Sequence, residues 1–166
     1  MAEFKIVQDS RRTFIDTLIE LAEKDDRIVL IVPDVGFFYI EAFREKFPDR
    51  FFNFGCTEAS TIMIAAGMAL SGMRPFVYSM INFVAFRPFE MVRNGIAMHK
   101  APVVLLGVKG SSGYKFLGFS HNMIFEDEDL YHLKPYLACY TPQTNDAVRN
   151  SILTAHTKGE GSYIRL

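Results

Sequence analysis

Glu58 is the single acid ahead of a long apolar run in the stretch "FFNFGCTEASTIMIAAGMALSGMRPFVYS". Thr57 is placed to cap a helix predicted over Thr57–Ser71, which sets Glu58 in its first turn. The residues that follow, Ile62, Met63, Ile64, Ala65, Ala66, Met68 and Leu70, leave little polar face, so the helix is expected to be buried. Two readings of the acid stay open. It can complement the positive end of the helix, a role worth about 0.3–1 kcal/mol at exposed sites. It can also be a functional group, because a carboxylate leading a buried helix at a strand end needs a specific partner.

Other residues carry the same two-sided reading. His121, in "GFSH", is an imidazole on a loop, able to exchange protons near neutrality or to serve only as a structural or solvated side chain. The remaining histidines, His99, His132 and His156, fall in helical patterns and read as structural. Asp34, in "IVPDVG", is an acid at a strand end, or turn chemistry before Gly36. Met80, Phe83 and Phe86 recur at a spacing of three, which lines them along one side of a helical turn and by itself reads as ordinary core. Pro88 fits best at a helix start, so the helix is expected to restart or kink there.

These side chains must be held by a frame, and the sequence supplies one. Apolar, β-rich runs at Arg27–Val32, Phe51–Phe54, Pro75–Ser79, Val103–Val108, Leu137–Tyr140 and Tyr163–Leu166 read as strands. Helical patterns lie between them, at Ser10–Lys24, Ile40–Lys46, Thr57–Ser71, Pro88–Lys100, Asp127–Leu133 and Asn145–His156. This alternation predicts a three-layer α/β/α domain around a mostly parallel sheet of about six strands. The longest irregular segment, "KGSSGYKFLGFSHNMIFED", follows a strand that should be central, and ligands of such sheets sit at the carboxyl ends of strands.

Composition excludes several classes of function. The 166 residues fit one domain, and 49% hydrophobic residues can fill its core. Eighteen basic residues against nineteen acidic ones leave a formal charge of −1, which offers no electrostatic footprint for nucleic acid or an anionic membrane. Apolar runs such as "APVVLLGV" are too short to span a bilayer, and "MAEFKIVQDSRR" has no apolar targeting core. Cys56 and Cys139 form neither a metal-ligand spacing nor a disulfide framework, so the expected setting is reduced and cytoplasmic.

In combination, "NFGCTEASTIMIAAGMALSGMRPFVYSMINF", "PVVLLGV" and "GFSHNMIFEDEDL" resemble the pyrimidine-binding domain of transketolase-type thiamine diphosphate enzymes. That family reads roughly G-x-x-E-x, a small-residue helix, G-x-R-P-(F/V), an aromatic segment, then G-P-(S/T)-H with an acid a few positions on. Several motifs in one order, from about Ser10 to Leu166, make the resemblance specific. It implies that Glu58 hydrogen-bonds a ring nitrogen of the cofactor's aminopyrimidine and promotes the tautomer that leads to the thiazolium ylid. It further implies that Phe83 and Phe86 contact the pyrimidine, with Met80 where an aromatic residue is common. His121 would approach the thiazolium and the substrate, and Asp34 would lie near the cofactor and the domain interface. Arg11 and Arg165 fall where relatives hold a sugar phosphate, although Arg12 could take Arg11's place.

Departures from the family pattern qualify the substrate. Leu117 stands where an acid contacts a substrate hydroxyl, and Phe38 where a serine is expected. An ordinary ketose-phosphate specificity is therefore in doubt. The chain also contains no G-D-G followed at a distance by asparagine, the pattern that holds magnesium and diphosphate in the family's companion domain. The resemblance thus implies a single pyrimidine-binding domain over residues 1–166, without diphosphate-binding or C-terminal domains, as a subunit of a split enzyme or an excised domain. Its cofactor would be thiamine diphosphate, with Mg2+ held by a partner subunit. The expected assembly is a hetero-oligomer such as a heterotetramer, transferring a ketol or acyl unit from a small carbonyl substrate. The alternatives are the pyrimidine subunit of a thiamine-dependent 2-oxo acid decarboxylase or dehydrogenase, and a non-catalytic binding module on the same fold.

Overall fold

The computed structural model describes residues 9–108, 116–123, 125 and 127–166. Part of the irregular segment identified in the sequence, 109–115 with 124 and 126, lies outside the described residues, as does the start of the chain, 1–8. Six strands form one parallel sheet: β1 (Ile28–Val32), β2 (Phe51–Asn53), β3 (Arg74–Met80), β4 (Val104–Val108), β5 (Ala138–Tyr140) and β6 (Ser162–Arg165). Their order across the sheet is β2-β1-β3-β4-β6-β5. The helices are α1 (Ser10–Ala22), α2 (Glu41–Lys46), α3 (Glu58–Leu70), α4 (Phe89–Met91), α5 (Glu128–Leu133) and α6 (Asn145–Lys158), with π-helical turns at Asn82–Phe86 and Val92–Ala97 flanking α4. Pro88 stands at the N-cap of α4, so the helix does restart there.

Alternate residues of the central strands enter two separate cores. Ile28, Leu30 and Val32 of β1, Phe76 and Tyr78 of β3, and Val104 and Leu106 of β4 meet α1, α2 and α6 through Phe14, Leu18, Phe43 and Ile152. Val29, Ile31, Val77, Leu105 and Tyr163 point the other way, toward Ile62, Ala65 and Ala69 of α3 and toward Val84, Val92, Ile96 and Leu133. Period-two alternation with both sets apolar is what a sheet buried on both faces requires. The result is a three-layer α/β/α sandwich. Among the described residues no helix is long and apolar enough to cross a membrane.

Strand order decides where a ligand can sit. From β1 the chain moves outward to β2 and then returns to lay β3 on the opposite side of β1. At such a reversal the loops leaving the carboxyl ends diverge and open a crevice. Here those segments are residues 33–39 after β1, residues 54–57 between β2 and α3, and the π-helical turn after β3.

Gly107 of β4 shows how tightly the sheet packs against its cover. A Cβ there would lie 2.7 Å from Oη of Tyr163 and 3.0 Å from Cγ1 of Ile81. The Tyr163 hydroxyl donates to Oδ2 of Asp129 at 2.5 Å, so the ring cannot swing aside without breaking that bond. Gly107→Ala should lower the unfolding free energy by about 1–3 kcal/mol through overpacking, measured by urea denaturation followed by circular dichroism.

Candidate active site

A cleft of about 550 Å³ opens at the carboxyl ends of β1, β2, β3 and β4. Of the residues singled out from the sequence, Glu58, His121, Phe83, Asp34, Met80, Arg11, Phe38 and Leu117 all line it. These positions are far apart in sequence, and the sheet edge brings them together. Phe86 and Arg165 are not among the lining residues.

Glu58 opens α3 and is buried, with a side chain only 10% exposed. Its partner is Arg87, whose Nη1 donates to Oε1 of Glu58 at 2.7 Å. The same guanidinium lies over the Phe83 ring, with Cζ 4.2 Å from the centroid. A planar cation is well suited to do both at once, meeting the carboxylate at its edge and the aromatic quadrupole at its face. Sequence reading did not single out Arg87. The available signal was a lone cation in the apolar stretch "NFVAFRPF", four residues after Phe83. Thr57 holds the N-cap position but does not cap through its side chain; its hydroxyl donates to the Phe54 carbonyl at 2.9 Å and fixes the turn out of β2 instead.

Phe83 also meets His121, ring against edge, with centroids 4.9 Å apart and planes at 82°. His121 ends the short 3-10 turn Phe119–His121, and its Nδ1 is 2.8 Å from Oγ of Ser120. Phe86 departs from the one-sided stripe expected from the sequence. In the π-helical turn Asn82–Phe86 the wider helix carries a residue three positions on well away from the starting side, while four positions nearly complete a turn. Phe86 therefore faces His132, with centroids 5.6 Å apart, and Arg87 is the residue returned to the side of Phe83.

Asp34 sits in the left-handed region at φ 55, and its backbone N–H donates to Oδ1 of Asn53 at 3.1 Å. It lines the cleft while also making the turn that the residues before Gly36 suggested. Phe38 is left-handed as well, at φ 75, an unusual conformation for an aromatic residue, and is 87% exposed. Its carbonyl accepts from Nη2 of Arg12 at 3.2 Å. Met80 ends β3 as part of the cleft wall, and Leu117, partly exposed, belongs to the same lining.

The arginines expected to grip an anion are held by carboxylates. Arg11 donates through Nε and Nη2 to Asp9 at 3.0 and 2.8 Å and lies 4.3 Å over the Tyr39 ring. Burial raises the Asp9 carboxyl, but the bonds from Arg11 and Tyr39 outweigh it and hold the group below its ordinary value. Arg165 points away from the cleft lining. Its Nη1 donates to Asp127 at 2.6 Å and to Asp129 at 3.2 Å, and Asp129 is fully buried. Burial first, and then the Asp129 charge, push the neighbouring Tyr163 hydroxyl well above its ordinary value. Arg165 is thus committed to neutralising a buried acid between β6 and α5.

A buried carboxylate, the face of Phe83 and a neighbouring apolar wall suit a flat heteroaromatic ring with a protonatable nitrogen. Residues 8–166 match the family described as "Transketolase, pyrimidine binding domain". The chain is 34% identical over 147 residues to 1-deoxy-D-xylulose-5-phosphate synthase of Mycolicibacterium gilvum, covering 86% of this chain and 22% of that protein. It is 34% identical over 117 residues to a subunit of apulose-4-phosphate transketolase from Phocaeicola vulgatus, covering 70% of this chain and 38% of the relative. Among solved structures, a split gene transketolase described as an inactive beta4 tetramer superposes with a TM-score of 0.82 at 29% identity, over 95% of this chain and 50% of its own. The chain therefore spans half or less of the length of these relatives.

Replacing Arg165 should disturb folding before it disturbs any ligand. Arg165→Met is expected to cost about 3 kcal/mol, since it removes the cation from the buried Asp129 charge and leaves it the Tyr163 hydroxyl, a neutral donor. Adding Asp129→Asn should recover most of that loss in a double-mutant cycle read by thermal denaturation. The parallel sheet, the cleft at its carboxyl edge, the Glu58 motif and the match over nearly the whole chain lead to one assignment: the chain belongs to the family of transketolase pyrimidine-binding domains.

Proposed function

We propose that this chain is the pyrimidine-binding subunit of a split, thiamine diphosphate-dependent transketolase-like enzyme that moves a ketol or acyl unit between carbonyl compounds. The observation that carries this reading is the buried Glu58 carboxylate facing the cleft beside Phe83. Thiamine diphosphate, when bound, supplies the carbanion chemistry. This chain's part is to seat the aminopyrimidine and handle its proton. Glu58 holds a proton shared with a ring nitrogen, Phe83 and Met80 bound the ring, and Asp34 lies along the same wall. Phe86, turned toward His132, packs against the core on the α3 side of the sheet and not in the cleft lining. His121, which lines the same cleft, would hydrogen-bond the reacting end of the cofactor or the substrate oxygen.

A diphosphate-binding partner subunit completes the cleft in this proposal and holds Mg2+ with the diphosphate. The working assembly is a cytoplasmic hetero-oligomer, such as a heterotetramer. The subunit status of the apulose-4-phosphate relative supports a two-chain arrangement.

Co-purification identifies the partner and allows the complex to be reconstituted. The wild-type complex should bind thiamine diphosphate tightly only with Mg2+, and should exchange the thiazolium C2 proton with solvent. Glu58→Gln should leave assembly intact and slow that exchange by about 10²–10⁴-fold, the usual contribution of a positioned acid–base group. Wild-type exchange in the mutant would remove Glu58 from this role.

Donor choice follows from the apolar side chains in the wall. Phe38 and Leu117 both line the cleft with side chains that offer no hydrogen bond, so a substrate hydroxyl enclosed against them once a partner completes the cleft would go unpaired, at about 1–3 kcal/mol each. Arg11, the lining guanidinium nearest the role of phosphate clamp, is engaged by Asp9. The preferred donor should carry fewer hydroxyls near its carbonyl than an ordinary ketose phosphate, as a 2-oxo acid or a deoxy sugar does. Turnover of pyruvate and deoxy-ketoses should exceed that of xylulose 5-phosphate, and Leu117→Asp should shift the ratio toward the ketose by at least about tenfold. An unchanged ratio would show that these positions do not select the donor.

A further inference from the structure

Arg87 makes, with side chains of this chain, both contacts that the proposed function assigns to the aminopyrimidine. Its guanidinium is hydrogen-bonded to Glu58 at 2.7 Å and stacked over Phe83 at 4.2 Å. Phe83 is 9% exposed and has His121 against its edge, so little of its surface is left outside these two contacts. Glu58 is equally enclosed, at 9% exposure. Arg87 itself has a side chain 49% exposed, which leaves it a path into solvent. The hydrogen bond that anchors its backbone runs from the Arg87 N–H to the Asn82 carbonyl at 3.1 Å, across the π-helical turn, and does not depend on where the side chain points.

We propose that Arg87 is a gatekeeper of the pyrimidine seat: its guanidinium and the aminopyrimidine compete for Glu58 and Phe83, and the ring binds only as Arg87 swings outward. The inference rests on the function proposed above. Both competitors are flat and nitrogen-rich, present N–H donors or a shared proton to a carboxylate, and offer a face to an aromatic ring. The cation keeps the Glu58 charge compensated and its carboxylate oriented, which burial would otherwise make costly. An ion pair with one half-exposed member is weak, so displacement costs little and the seat stays accessible. In this arrangement the acid is never left buried without a counter-charge or a proton to share. Release of Arg87 also places a free guanidinium at the cleft mouth, where an anionic substrate group or the partner subunit can meet it.

The test uses the complex with its partner and thiamine diphosphate with Mg2+ as the probe. Arg87→Ala should bind the probe about three- to tenfold more tightly than wild type, because the competing contacts are gone. Arg87→Lys should fall between the two, since an ammonium can pair with Glu58 but cannot stack as a plane. In wild type carrying 15N-labelled arginine, the Arg87 side-chain resonance should change from slow to solvent-like exchange when the probe is added. Weaker or unchanged binding by Arg87→Ala, or an Arg87 resonance untouched by the probe, overturns the proposal and makes Arg87 a support for Glu58 or a bystander. If the wild-type complex takes up no thiamine diphosphate at all, the proposed function falls and this inference falls with it. Circular dichroism of Arg87→Ala separates any loss of binding from a loss of fold.

Discussion

A parallel sheet covered on both faces is the constraint on which the rest of this protein depends. Each central strand must be apolar on both sides, and each return path must cross a face as a helix. Val29 and Ile31 enter one core while Ile28, Leu30 and Val32 enter the other, and the same division holds for β3 and β4. With the faces filled, polar chemistry is driven to the edge where the strands end. The reversal between β1 and β3 then opens that edge, and the functional candidates converge on it.

Charge is placed in this frame by pairing. Three arginines, Arg11, Arg87 and Arg165, each meet a carboxylate, but their surroundings give the pairs different meanings. The Arg165–Asp129 pair joins β6 to α5 with its acid fully buried, where breaking it leaves a charge without compensation. The Arg11–Asp9 pair lies at the start of α1 and, with Tyr39, ties the loop after β1 to that helix. The Arg87–Glu58 pair combines a buried acid with a half-exposed base, so one member can leave while the other stays. In the proposed gate, exposure separates a releasable pair from the structural ones.

Backbone geometry turns a sequence pattern into a site in an unexpected way. A spacing of three suggests that Met80, Phe83 and Phe86 share a side, and an α-helix would make it nearly so. Met80 instead belongs to β3, and the segment after it winds as a π-helical turn. The wider turn moves Phe86 to His132 and brings Arg87 over Phe83. Such turns recur at functional sites because they re-aim one side chain without ending the helix.

Much of the fold was legible in the order of residues. Each strand lies within a residue or two of its β-rich run, because β-branched residues in the central strands and aromatic ones in the outer strands leave a strong local signal. The extent of α3 and the restart at Pro88 followed from a long apolar run and from proline's missing N–H, but α3 is not buried all round as expected: it packs one face on the sheet and leaves Met63, Ile64 and Leu70 exposed. The gathering of Glu58, Phe83, Asp34, Met80, Arg11, Phe38, Leu117 and His121 into one cleft was expected through family motifs, which carry long-range information that local pattern lacks. What the sequence by itself determined was therefore the alternation of elements, the two apolar sets of each central strand, and the residue types at the strand ends. Only the tertiary structure decided the partners of the charges that meet across the fold. Arg87 lies 29 positions from Glu58, and Arg165 lies 36 from Asp129, so no local propensity links them. Their pairing depends on which strand ends are adjacent and on how a helical turn is wound, and both are settled by packing across the whole sheet.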